Sequence, residues 1–350
     1  IPAVAFSERD GIFYGRGAAD DKDEGAIHLA LLLRMKAEGY VPDRDIIVAL
    51  TADEEGGPDN GVVYLLEHHR ELIDAGFAFN EGGGGDVRDG KHLANGVQAS
   101  EKKSLNFRLE VTNPGGHSSQ PVKDNAITHL ADALVKVGAF DFPVRLNEVT
   151  TAYFKASAAL VGPEMARAMR ALVANPQDAQ AAATLARDKM YNSLMRTTCV
   201  ATMLEGGHAR NALPQRAVAN VNCRILPEAT LAEVQGTLTR VIGNPQVTIT
   251  AIAPPKDSPP SPLTPALFTA IEQVTQSMWP GVPVVPKMST GATDGLYLRR
   301  AGIPVYGVSG LFYTDTGSHG QNERISAKAF YEGLEFMYRL VKQVTGPGVS

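Results

Sequence analysis

Cysteine is nearly absent: the 350 residues hold two, Cys199 and Cys223. Two do not make the disulfide framework of a small secreted fold, and free cysteine is among the most buried residue types. Both are therefore expected as buried thiols. No run of Lys or Arg occurs, and 33 basic against 38 acidic residues leave a formal net charge of -5. That speaks against nucleic acid, which calls for a clustered basic face. Long apolar runs are missing too. Stretches such as Ile46–Leu50 fall far short of the roughly 20 residues that span a bilayer. There is no internal repeat, and no G-x-S-x-G elbow frames Ser118 or Ser119 as a nucleophile. No secretory-signal pattern follows Ile1, and the sequence assigns no compartment.

What is present is ordinary globular material, 44% hydrophobic and 20% charged, in a length that suits two domains. Ile27, Leu31 and Met35 stand at helical spacing within 24–37, and Gly39 suits the helix end. Asp45–Thr51 is a short continuous apolar run that reads as a strand buried on both faces of a parallel sheet. A helix over Val62–Leu72 and a short strand over Phe77–Phe79 follow, so the start reads as an α/β layer.

The character changes near Ser100. Leu105, Phe107, Leu109 and Val111 alternate with polar residues, which predicts a strand wet on one face. A helix over 125–137, strands over 199–204 and 217–225, a helix over 231–242 and a strand over 247–252 complete a β-α-β-β-α-β, ferredoxin-like unit. An Ala-rich helical insert interrupts it at about 157–190. The Pro-rich stretch 254–265 marks a boundary, after which the α/β pattern resumes, with Ser326 capping a final helix to about Val344. The expected architecture is one α/β domain, 1–100 with 254–350, interrupted by a smaller α+β domain, 101–253.

Asp20, Glu54, Glu55, Glu81 and His319 stand in loops beside these strands. Ligands of open α/β sheets bind outside the carboxyl ends of strands. Carboxylates and imidazole suit zinc, and like charges gathered in one cleft call for a cation. Taken singly, each has a plainer reading: a solvated turn for Asp20-Asp21-Lys22, an acidic helix start for Glu54-Glu55, a surface histidine for His319, loop flexibility for Gly82–Gly85. Their joint order outweighs those readings.

The strings G-R-G-A-A-D-D-K, T-A-D-E-E-G-G, N-E-G-G, G-G-H-S-S, C-R-I-L-P and S-H-G-Q-N-E closely resemble the dizinc aminoacylase/carboxypeptidase metallopeptidases. That group includes aminoacylase-1, carnosine dipeptidases and succinyl-diaminopimelate desuccinylase. The run S-E-K-K-S-L-N-F-R-L-E-V looks most like the carboxypeptidase S branch. The resemblance covers nearly the whole chain. It implies a zinc-exopeptidase-like catalytic domain, two zinc ions per subunit (with Co or Mn as substitutes in vitro), and an inserted lid through which a homodimer forms. It implies that Asp20 bridges the two ions, that Glu55 and His319 bind one and Glu81 the other, and that Glu54 is the general base. Arg224 then pairs with a substrate carboxylate, Asn211 binds substrate, and His117 is lent by the partner subunit to polarise the carbonyl. Gly291 and Thr293, in Gly291-Ala-Thr-Asp294, line the pocket.

The sequence departs from that pattern at one point. The family's first ligand is a His-x-Asp histidine ahead of Gly-Arg-Gly, but none of the fourteen residues before Gly15 is His, and His28 falls on the following helix. The natural protein is expected to carry more residues before Ile1. The expected activity is hydrolysis of an amide or peptide bond next to a free carboxylate. The alternatives are a dipeptidase that also reads a free amino group, and a catalytically silent peptide-binding relative.

Overall fold

The computed structural model describes residues 4–56, 59–253 and 256–346. Its central sheet has five strands, in the order Val284–Ser289, Lys91–Glu101, Val305–Gly307, Ala78–Asn80, with Gly84–Arg88 also paired to Lys91–Glu101. The sheet is mixed. Val284–Ser289 runs parallel to Lys91–Glu101, as Val305–Gly307 does to Ala78–Asn80, while Gly84–Arg88 and Val305–Gly307 meet Lys91–Glu101 antiparallel. The helix Lys22–Ala37 buries Ile27, Leu31 and Met35. It packs on the final helix Ala327–Val344, which Ser326 caps by accepting from the Ala329 N–H.

Several features differ from expectation. Lys91–Glu101 is the longest strand and is buried from Ala94 onward, yet its polar residues Asn95, Gln98, Ser100 and Glu101 hide it from an apolar-run search. The signal that finds it is the Asp89-Gly90 pair, both at positive φ (51° and 72°), as a two-residue hairpin requires. The same Asp-Gly pair at 10–11 turns the hairpin Ser7–Arg9/Ile12–Tyr14. The expected strand at Asp45–Thr51 is not formed. The segment carries no regular secondary structure, with Ile47 46% and Leu50 66% exposed: a strand needs a ladder partner, and none pairs with it among the described residues. It instead borders a cavity of about 480 Å³ with Leu31, Val62, Phe77 and Phe79.

Residues 103–251 build a four-stranded antiparallel sheet, in the order Thr248–Ala251, Lys103–Thr112, Arg216–Ile225, Thr198–Gly206. Helices Ala126–Ala139 and Leu231–Ile242 pack against it. In the register, Leu105, Phe107, Leu109 and Val111 oppose Cys223, Val221, Ala219 and Ala217, and all eight are buried. The helical insert is wider than expected: Glu148–Ser157, Pro163–Ala174, Ala179–Leu185 and Lys189–Met195, the first packed on Val284–Ser289. The expected boundary at 254 falls at residues 254–255, outside the described residues.

The cysteine expectation is corrected. Cys199 and Cys223 stand opposite each other on neighbouring strands, Cα atoms 4.0 Å apart, and form a disulfide. Facing residues of antiparallel strands approach closely enough for this. Their separation of 24 residues does not by itself reveal that shared register.

Candidate metal centre

The loop after strand Ile12–Tyr14 is wound tightly, with Ala18 N–H donating to Gly15 O at 3.0 Å and Lys22 N–H to Gly17 O at 2.8 Å. Gly17 sits at φ 83°, a backbone conformation that favours glycine. The loop delivers Asp20 just ahead of the helix Lys22–Ala37. His319 comes from a loop with three non-glycine residues in the left-handed region, Asp315, His319 and Asn322, at φ 54°, 60° and 57°. His319 Nε2 lies 2.9 Å from Asp20 Oδ2 and 3.5 Å from Glu55 Oε1. One ligand atom from each of the three falls within 4.8 Å of the others. No other such cluster of three occurs among the described residues.

Glu54 shares a hydrogen bond with Glu81 and feels the charge of Asp294 and Glu55. Glu81 follows strand Ala78–Asn80. The glycines after it are there for close approach rather than flexibility: a Cβ on Gly82 would lie 1.9 Å from Gln98 Oε1, and one on Gly83 2.1 Å from Gly307 O. Glu54 and Glu55 do not follow a strand, since Asp45–Leu50 is unpaired.

The electrostatics are those of acids crowded without a counterion. Burial, then repulsion from Glu54, Asp21 and Asp20, pushes Glu81 up to about 9. Burial, then Asp23 and Asp20, pushes Asp21 to about 8. Burial, then Asp294 and Glu55, raises Glu54. Buried Glu24 is held well above its usual range, and one of its oxygens has no partner. Such a cluster either retains protons or takes up a cation. One imidazole nitrogen and two carboxylate oxygens converging on a point suit a divalent ion of the zinc type. Glu81 belongs to no cluster of three, and no histidine completes a second site among the described residues.

The other expected residues fall in separate places. His117 and Asn211 are brought together: Gly116–His117 pairs with Ala212–Leu213, and Ser118 N–H donates to Asn211 O at 3.0 Å. His117 is exposed, with Nδ1 2.7 Å from Ser119 Oγ. No hydrogen bond or ion pair among the described residues ties this ribbon to Asp20, Glu55 or His319. Arg224 is half-buried near the end of its strand, opposite Ser104 and Thr198, with no carboxylate partner among the described residues. Thr293 is buried, and its N–H and hydroxyl both donate to Glu101 Oε2 at 3.1 Å. Gly291 N–H donates to Ser289 Oγ at 3.0 Å.

Several residues without a sequence-level role support the site. Asn60 donates to Asp294 Oδ1 at 2.6 Å, beside Glu54. Glu101 pairs with Arg299, and Glu323 with Arg16. The letters N-E after S-H-G-Q hinted at Glu323. Arg16, Glu101 and Asp294 lie within the quoted strings, which gave them no supporting role, and nothing local marks Asn60 or Arg299.

The chain matches peptidase family M20/M25/M40 over residues 2–343. It is 27% identical to the human N-fatty-acyl-amino acid synthase/hydrolase PM20D1 over 98% of this chain and 70% of that protein. It is 27% identical to a probable carboxypeptidase S-like 2 of Dictyostelium discoideum, over 95% of this chain and 66% of that one. Among solved structures, an M20 family metallo-carboxypeptidase, Sso-CP2, from Sulfolobus solfataricus overlays with a TM-score of 0.65 at 20% identity, covering 96% of this chain and 78% of that one. Membership implies a divalent metal, typically zinc. The chain thus belongs to peptidase family M20/M25/M40, and is a metal-dependent hydrolase of peptide or amide bonds.

Proposed function

We propose that the protein cleaves an amide or peptide bond next to a free carboxylate, in N-acyl amino acids or short peptides. The observation that carries this is the convergence of Asp20, Glu55 and His319 on one point, with Glu54 beside them but directed to Glu81. Asp20, Glu55 and His319 would hold one zinc. Asp20 and Glu81 would contribute to a second, which needs a further ligand to reach the usual three.

When bound, the metal lowers the pKa of water and polarises the scissile carbonyl. The remaining work belongs to side chains. Glu54 takes a proton from the attacking water and passes it to the leaving nitrogen. Its raised affinity for protons, from burial and the neighbouring Asp294 and Glu55, suits a group that must both accept and release one. Arg224, a half-buried guanidinium without a carboxylate partner among the described residues, would take the substrate's carboxylate as a planar fork. Asn211 and His117 share one ribbon, and His117 would serve the active site of a second subunit, polarising the carbonyl oxygen there. Thr293 and Gly291 would shape the pocket. The exposed edge strand Thr198–Gly206, with Val200, Met203 and Leu204 59–67% exposed, supports a homodimer joined through the four-stranded sheet.

The test is an assay of zinc-loaded protein on N-acyl amino acids, dipeptides, and the same substrates with the carboxylate amidated. Release from free-carboxylate substrates alone, abolished by a chelator, is expected. Equal turnover of the amides, or none of any substrate, overturns the reading. Preference for dipeptides over N-acyl amino acids would make it a dipeptidase.

A further inference from the structure

Glu323 sits four residues after His319, and its side chain is 1% exposed. Both of its oxygens are taken up by the loop that carries Asp20. Oε2 accepts from Gly17 N–H at 3.0 Å and Arg16 Nη1 at 2.7 Å, and Oε1 accepts from Ala19 N–H at 3.0 Å. Arg16 closes the ring: its Nη2 donates to Gly320 O at 2.7 Å. Gly15 N–H donates to Glu323 O at 3.1 Å. Five hydrogen bonds thus join residues 15–19, just before Asp20, to residues 320–323, just after His319.

Both loops need such a tie. Neither Asp20 nor His319 lies in a helix or strand. His319 and Asn322 occupy the left-handed region, which non-glycine residues leave unless their surroundings hold them. A carboxylate withdrawn from water demands partners for its lone pairs, and every hydrogen bond to the Glu323 carboxylate comes from the opposite loop. Moving one loop would therefore strand a buried charge. That makes the junction stiff, and it lies beside Asp20 and His319, whose side chains are 2.9 Å apart.

We infer that Arg16 and Glu323 are the positioning pair of the metal centre: they clamp the loop of Asp20 to the loop of His319 and thereby set metal affinity. The inference rests on Asp20, Glu55 and His319 being the metal ligands. Removing residues that orient metal ligands typically costs about 10–100-fold in affinity.

The test measures Zn²⁺ affinity by competition with a chelating dye, and the visible spectrum of the Co²⁺-substituted protein. The proteins are the parent, Glu323→Gln, Arg16→Lys and Leu238→Ala. The last is a control in the buried core of the four-stranded unit, so it lowers stability without touching the clamp. Glu323→Gln should bind Zn²⁺ on the order of 10–100-fold more weakly and change the Co²⁺ spectrum, while Leu238→Ala binds as the parent does. Arg16→Lys, at a side chain 46% exposed, keeps the charge but loses the fork. It should fall between, and it carries the test should Glu323→Gln not fold. Parent-like affinity and spectrum in both clamp variants overturn the clamp alone. A parent that binds no Zn²⁺ overturns the metal-centre reading and the clamp with it.

Discussion

The Arg299 guanidinium lies 3.0 Å from the Glu101 carboxylate, with both side chains 1% exposed. Glu101 ends the long central strand, where the chain passes into the four-stranded sheet, and Ser258, on the return passage, donates at 3.3 Å to Oε1, the same oxygen that faces Arg299. Thr293 donates to it twice. One buried carboxylate thus ties both crossings and the 291–294 loop together. Glu101→Gln leaves a buried guanidinium uncompensated, which should cost about 3–5 kcal/mol in urea unfolding. Glu101→Gln with Arg299→Met should cost less than the two singles added. Strict additivity would show that the pair is not coupled.

Lys102, next along the chain, is buried and donates to Arg196 O at 2.7 Å, Ser193 Oγ at 3.2 Å and Thr198 Oγ1 at 3.3 Å. Burial, with a smaller push from Arg224, pulls its pKa down to about 7. An unfolded lysine titrates near about 10.4. Between those values the unfolded chain holds a proton that the folded protein has released, so this residue makes stability rise with pH across that window. Because raised acids such as Asp21 and Glu81 act in the opposite sense in the same window, the reading is a difference: the urea midpoint of the parent should rise with pH relative to that of Lys102→Met across about pH 7 to 10. An unchanged slope in the variant contradicts the assignment.

Much of this was legible where a pattern is local. Ile27, Leu31 and Met35 mark their helix by spacing. The helix expected over 231–242 forms over Leu231–Ile242. Leu105 to Val111 alternate as their half-buried strand does. Asp45–Thr51 misled because apolar residues specify a buried strand only when neighbours supply the ladder. Lys91–Glu101 escaped because polar residues stand among its buried positions, such as Asn95, whose amide donates to Thr275 Oγ1 far along the chain. The acids and His319 stood out as motifs. Their supports did not, because Arg16–Glu323 and Glu101–Arg299 join residues far apart in the chain, and a lone Arg or Glu reads as surface. The cysteine pair failed for the same reason.

Arg224→Ala should damage cleavage of free-carboxylate substrates much more than of their amides. Loss of a charge-assisted bond costs about 1.5–3 kcal/mol, read as the ratio of kcat/KM values. Equal damage to both substrate types would make Arg224 a structural residue of its strand.

His117 lies on an exposed ribbon that, among the described residues, has no hydrogen bond or ion pair to Asp20, Glu55 or His319 of its own chain. If it serves a partner, mixing inactive Glu54→Gln with inactive His117→Ala should restore part of the activity through mixed dimers. No recovery, once subunit exchange is confirmed, places His117 outside catalysis in trans.

The central claim is that Glu54 moves the proton while Asp20, Glu55 and His319 hold the metal. It is tested most directly by measuring zinc content and turnover together in Glu54→Gln and His319→Ala. Glu54→Gln should keep its tightly bound zinc and lose on the order of 10²–10⁴ in kcat, the usual worth of a general base. His319→Ala should lose the zinc itself. Near-parental turnover in Glu54→Gln, or undiminished zinc in His319→Ala, would contradict the account.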